Sequence, residues 1–133
     1  MPSWIFSDPD IYTRERDVIF RGPSWNYVAL SCEIPDAGDF KRNFVGDMPV
    51  VVARDEEGNA NVFVNRCAHR GVRFCRQDRG NAPEFMCPYH QWTFNLKGDL
   101  IGVPFRRGLQ NQGGMPADFR LEDHGLETLR VTE

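Results

Sequence analysis

The chain has 133 residues and a mass of 15.3 kDa, enough for one domain with a real core. Its 41% hydrophobic and 26% charged residues are ordinary for a globular protein, and a net charge of −3 leaves no electrostatic footprint for nucleic acid. The longest apolar run, around Val50-Val51-Val52-Ala53, is too short to span a bilayer, and residues 1–8 lack the basic flank and long apolar stretch of a signal peptide. The expectation is a cytoplasmic protein that meets neither nucleic acid nor membrane.

Ser7-Asp8-Pro9-Asp10 reads as a helix start, with Asp8 as N-cap and Pro9 at the first helical position. Ile11, Glu15, Val18 and Ile19 follow at helical spacing, and the segment ends before Gly22-Pro23, so residues 1–24 form an N-terminal helical segment. From Trp25 the pattern changes. Trp25-Asn26-Tyr27-Val28-Ala29-Leu30 alternates and predicts a strand that carries on toward Cys32, which is expected in the core. A turn at 35–39 precedes strands over 40–45 and 49–54, joined at Gly46-Asp47. Asp55-Glu56-Glu57-Gly58-Asn59 is a hairpin turn into a strand over 61–65. Strands over 92–95 and 100–103 flank a turn at Lys97-Gly98-Asp99. Residues 106–115 are polar and glycine-rich, a surface loop, and 129–133 alternates like a strand. Short strands with turn signals at this spacing predict an all-β domain of antiparallel sheets with a short N-terminal helix.

Between these strands lie Cys67-Ala68-His69 and Cys87-Pro88-Tyr89-His90, separated by 17 residues. Two thiolates and two imidazoles are the ligand set of a [2Fe–2S] centre in which two His replace two Cys on one iron. Each iron needs two protein ligands from points a few ångströms apart, and Cys and His within one tight loop supply them. Gly71 and Pro88 suit such loops. A tetrahedral Cys2His2 zinc site uses the same residue types, but zinc pairs usually carry two to four spacer residues, and Cys-x-His has one. Disulfides among Cys32, Cys67, Cys75 and Cys87 are the third reading, and a reducing cytosol argues against them.

With their flanks, these motifs carry a family resemblance. Asn65-Arg66-Cys67-Ala68-His69-Arg70-Gly71-Val72-Arg73-Phe74-Cys75, followed by Phe85-Met86-Cys87-Pro88-Tyr89-His90-Gln91-Trp92-Thr93-Phe94, resembles the Rieske domain of the large (α) subunits of aromatic-ring-hydroxylating oxygenases. Ile11-Tyr12, Trp25, Ile34-Pro35, Gly38-Asp39-Phe40, Gly98-Asp99-Leu100 and Val103-Pro104 extend it over nearly the whole chain. Within the family the sequence is similar to the salicylate- and anthranilate-type members. The resemblance implies that Cys67 and Cys87 hold one iron and His69 and His90 the other. It implies electrons from a reductase or ferredoxin and delivery to a mononuclear non-haem iron in a C-terminal catalytic domain. It also implies contact with the catalytic domain of a neighbouring α subunit, and a small β subunit as a further partner. Some Rieske proteins tie their two loops with a disulfide. Here Tyr89 stands where the second cysteine would be, so Cys75 is expected as a buried free thiol. The family's usual glycine after the second His is Gln91 here.

The catalytic iron itself has no place in this sequence. Of three histidines, two are committed to the cluster, and a facial triad needs two besides its carboxylate. His124, in Glu122-Asp123-His124-Gly125, is expected as an exposed turn residue, and the chain reads as residues 1–133 of a longer subunit. A stand-alone Rieske-type ferredoxin is the alternative; the helical N-terminal segment counts against it. Arg66, Arg70, Arg73, Arg76 and Arg79 give the stretch 66–79 a formal charge of +4, with Asp78 its only acid. Either they attract an acidic electron donor, or they pair with acids elsewhere in the fold.

Overall fold

The computed structural model describes residues 2–110 and 112–133. Met1 and Asn111, the latter within the expected 106–115 loop, lie outside the described residues. Helix α1 (Pro9–Glu15) begins as its sequence dictates: an Asp8 carboxylate oxygen accepts from the N–H groups of Asp10 at 2.9 Å and Ile11 at 3.1 Å. It widens into a π-type turn (Arg16–Phe20), where Arg21 N–H reaches back to the Arg16 carbonyl. The helical spacing is therefore real, but neither segment contains a buried residue, and Val18 is 61% exposed. Phe20 packs on the sheet, beside Gly46, whose φ of 58° makes the tight turn between the strands on either side of it.

Residues 25–30 do not form the expected strand. The segment packs on a face of the large sheet instead, where Val28 and Ala29 join an apolar cluster. Trp25 and Tyr27 point outward, and the segment is also held by Asn43, whose side chain donates to the Val28 carbonyl at 2.6 Å. Cys32, expected in the core, lies exposed in a 3-10 turn (Ser31–Glu33).

The rest is antiparallel β. Strands β1 (Asp39–Val45), β2 (Met48–Arg54) and β3 (Ala60–Val64) form a meander, extended by β4 (Arg79–Asn81) on β1 and β8 (Thr128–Leu129) on β3, in the order β4-β1-β2-β3-β8. The second sheet is β5 (Phe85–Met86), β6 (Thr93–Phe94) and β7 (Leu100–Gly102). The expected 129–133 strand is shorter than predicted: β8 ends at Leu129, and Glu133 is instead clasped by Arg54, with two contacts of 2.7 Å.

Strand alternation divides the core in two. Val50, Val52 and Val62 face one side of the large sheet, with Ile34 and Val45. Val51, Ala53 and Phe63 face the other, toward the small sheet. Phe85 is the hub of this second cluster. Its ring meets Phe40, Phe63 and Phe74 edge-on at 5.3, 5.7 and 5.5 Å. Cys67, Cys87 and Trp92 belong to the same cluster, so the candidate site is built onto the packed interior.

Candidate metal centre

The two Cys-His loops hang from different sheets. The first follows β3, and the second is the turn of the β5–β6 hairpin, whose register pairs Met86 with Thr93. The sequences of the loops differ, yet their backbones repeat one pattern. Cys67 N–H donates to the Val72 carbonyl and Gly71 N–H to the Cys67 carbonyl, both at 2.8 Å. Cys87 N–H donates to Trp92 and Gln91 N–H to Cys87, again both at 2.8 Å. The fifth residue of each loop is left-handed: Gly71 has φ 67° and Gln91 φ 57°. Gln91 thus adopts a conformation that glycine holds without strain. Its side chain has room, because Gln91 is exposed.

The first loop is closed by Asn65, fully buried. Its side-chain amide donates to the Cys75 carbonyl at 2.8 Å and its oxygen accepts the Cys75 N–H at 3.0 Å. This clasp has no signature in sequence, because its partner is ten residues away. Cys75 is a buried free thiol, as expected, and donates to the Gln77 carbonyl.

The candidate donors meet in like pairs, thiol with thiol and imidazole with imidazole. Cys67 and Cys87 are both buried, and their thiols are neighbours. Burial, together with the Cys87 thiol, pushes the Cys67 thiol up to about 11, against the backbone N–H groups of His69 and Arg70 that point at its sulfur. Two thiols so placed are poor anions until a cation arrives, and N–H groups aimed at sulfur favour the thiolate once it does. The His69 and His90 rings meet edge-to-face at 4.6 Å. Burial, then the neighbouring His90 and Arg70, lowers the His69 pKa, which keeps the imidazole neutral, the form that binds metal. His69 Nδ1 is buried with no hydrogen-bond partner, an orphaned donor atom of the kind a metal satisfies.

Among the described residues, no three His, Cys, Asp or Glu side chains gather round one ion-sized point. A tetrahedral zinc ion would need four ligands converging on one point, whereas two irons take two protein ligands each. The donor set therefore fits the two-iron cluster.

His124 differs from expectation. It ends a 3-10 turn (Leu121–His124), is half-buried, and stacks on Phe119. The arginines are exposed, and among the described residues none of Arg66, Arg70, Arg73, Arg76 and Arg79 forms an ion pair; Asp78 pairs with Arg42. A groove of about 630 Å³ between the N-terminal segment and the far side of the large sheet is lined by Phe20, Trp25, Val45 and Leu129 and by none of the four donors.

The pattern of the Rieske [2Fe-2S] domain matches residues 24–113. Over 98% of its length the chain is 58% identical to the anthranilate 1,2-dioxygenase large subunit of Burkholderia cepacia, covering 31% of that protein. It is 53% identical to the large oxygenase component of salicylate 5-hydroxylase from Ralstonia sp, again over 98% of the chain and 32% of the relative. Among solved structures, naphthalene 1,2-dioxygenase with indole bound in the active site superposes with a TM-score of 0.87 at 31% identity, over 97% of this chain and 28% of that one. The chain thus spans about a third of the length of the curated relatives it matches.

Proposed function

We propose, starting from the fact that the chain belongs to the Rieske [2Fe-2S] domain family, that it is the electron-relay domain of the large subunit of an aromatic-ring-hydroxylating oxygenase. On this reading residues 1–133 are one cluster-binding domain of a cytoplasmic enzyme, with 1–24 as its N-terminal helical segment. Cys67 and Cys87 hold one iron, and His69 and His90 the other. When bound, the cluster takes up one electron and passes it on.

The chain's residues make that exchange possible. Burial of both sulfurs keeps water away from them. The N–H groups of His69 and Arg70 favour the Cys67 thiolate against the burial that opposes it, so they would support it once a metal binds. The half-buried imidazoles keep the centre within reach of the surface, where electrons must enter and leave. The supporting observation is the repeated loop backbone, which brings two buried thiols and two imidazoles together from separate sheets. The donor is a reductase or ferredoxin. The acceptor is a mononuclear iron in a C-terminal catalytic domain, on a neighbouring α subunit, in an assembly that includes a small β subunit. The substrate is an aromatic carboxylate, in line with the names of the two relatives.

The test is the coding sequence beyond Glu133 together with the redox behaviour of its full product. The oxygenase reading expects a downstream two-His-one-carboxylate set, and oxidation of the reduced cluster by dioxygen that speeds up when an aromatic carboxylate is added. A stop codon after Glu133, with oxidation indifferent to aromatics, would establish a stand-alone carrier instead.

A further inference from the structure

Metal-bound imidazoles are ordinarily oriented by a hydrogen bond on the second ring nitrogen. In this chain His69 is held by ring faces. Its imidazole lies parallel to the Trp92 indole, with centroids 4.7 Å apart and planes 10° from each other, and the His90 ring meets it edge-to-face. His90 has no such backing: its neighbour Tyr89 is 56% exposed, whereas Trp92 is 4% exposed.

Trp92 is itself braced. Phe119 and His124 meet it edge-on at 5.9 and 5.8 Å, and these two rings are stacked at 4.4 Å and 9°. Offset and edge contacts of this kind stabilise aromatic pairs beyond the area they bury. The 119–124 segment is fixed in turn by the Leu126 N–H, which donates to the Gly98 carbonyl at 2.7 Å, and by Leu121 packed on the core. Phe119 and His124 lie beyond residue 113, where the family pattern stops matching.

We propose that Trp92 is a positioning residue for the His69 imidazole, and that Phe119 and His124 form the wall that holds Trp92 in place. The inference rests on His69 being a cluster ligand. The rings fix the plane in which Nδ1 must meet its iron, so loss of the stack loosens one ligand without removing it.

The experiment compares the cluster-loaded chain with Trp92→Leu, Trp92→Phe, the double variant Phe119→Leu/His124→Ala, and Phe94→Leu as a control buried in the same core without touching His69. Iron release to a chelator and the electron paramagnetic resonance spectrum of the reduced protein are recorded. Trp92→Leu is expected to release iron about 10–100-fold faster, the range typical when support of a metal ligand is lost, with a broadened spectrum. Trp92→Phe, which keeps a ring in the stack, should restore most of the difference. Phe94→Leu should leave both readouts at the parent's values. The double variant should lose iron faster than the parent, and it carries the test alone if Trp92→Leu does not fold. Parental iron release and spectrum in Trp92→Leu, or in the double variant where that must stand alone, overturn the proposal, as does equal acceleration in Phe94→Leu. A parent without any cluster signal overturns the underlying ligand assignment, and this inference with it.

Discussion

Gln91 holds the left-handed backbone that Gly71 holds in the partner loop. A non-glycine residue there costs on the order of 1–3 kcal/mol. Gln91→Gly is therefore expected to raise stability by about 1 kcal/mol in urea unfolding, with an unchanged denaturant slope; a lower midpoint would show that the side chain contributes more than its backbone costs. Asn65 is the opposite case. Replacing it with Ala strips the buried Cys75 N–H and carbonyl of their partners, and a loss of about 2–4 kcal/mol is expected in the same measurement. The four candidate donors stand out in the sequence because each Cys-His spacing is local. Asn65, Trp92 and His124 do not, because each acts on a residue far from it in the chain. His124 reads as an exposed turn residue for that reason: nothing in Glu122-Asp123-His124-Gly125 announces the distant Trp92 ring that it meets edge-on.

At the level of elements, the period-2 runs at 40–45 and 49–54 became β1 and β2, with valines facing both cores. The equally alternating 25–30 did not: Val28 and Ala29 pack against the face of the sheet instead of joining a ladder. The two-residue strand β5 and the three-residue β4 are too short to carry a period at all. The segment 66–79 leaves its five arginines exposed, which removes the reading in which they pair internally among the described residues. Arg73 is also propped over the Phe44 ring at 5.7 Å. Neutralising Arg73 and Arg76 together, each to Gln, is expected to slow reduction by an acidic donor about 3–10-fold at low ionic strength, with the difference closing as salt is added. Rates that match the parent at every salt concentration would remove the arginines from donor docking.

Across the whole molecule, the ion pair between Arg54 and Glu133 ties the last residue to the buried end of β2. The Arg54 guanidinium, helped by the Ser31 hydroxyl, brings the Glu133 carboxyl from its usual 4.5 down to about 2. Its contribution to stability is complete above about pH 4.5 and lost as pH falls toward 2. The urea midpoint should fall over that window, and Glu133→Gln should flatten the fall; an equal slope in the variant would assign it to other carboxylates. The same architecture, two sheets each lending one loop, pairs Cys67 with Cys87 and His69 with His90, and the proposed function joins the two pairs in one centre. That assignment is tested most directly by electron paramagnetic resonance of the dithionite-reduced chain, prepared with ¹⁵N-labelled histidine. The account predicts a spin-half [2Fe–2S] signal with hyperfine coupling to two imidazole nitrogens, reduced to one in His69→Cys or His90→Cys. A silent spectrum from metal-loaded protein, or a cluster signal without histidine nitrogen coupling, would contradict it.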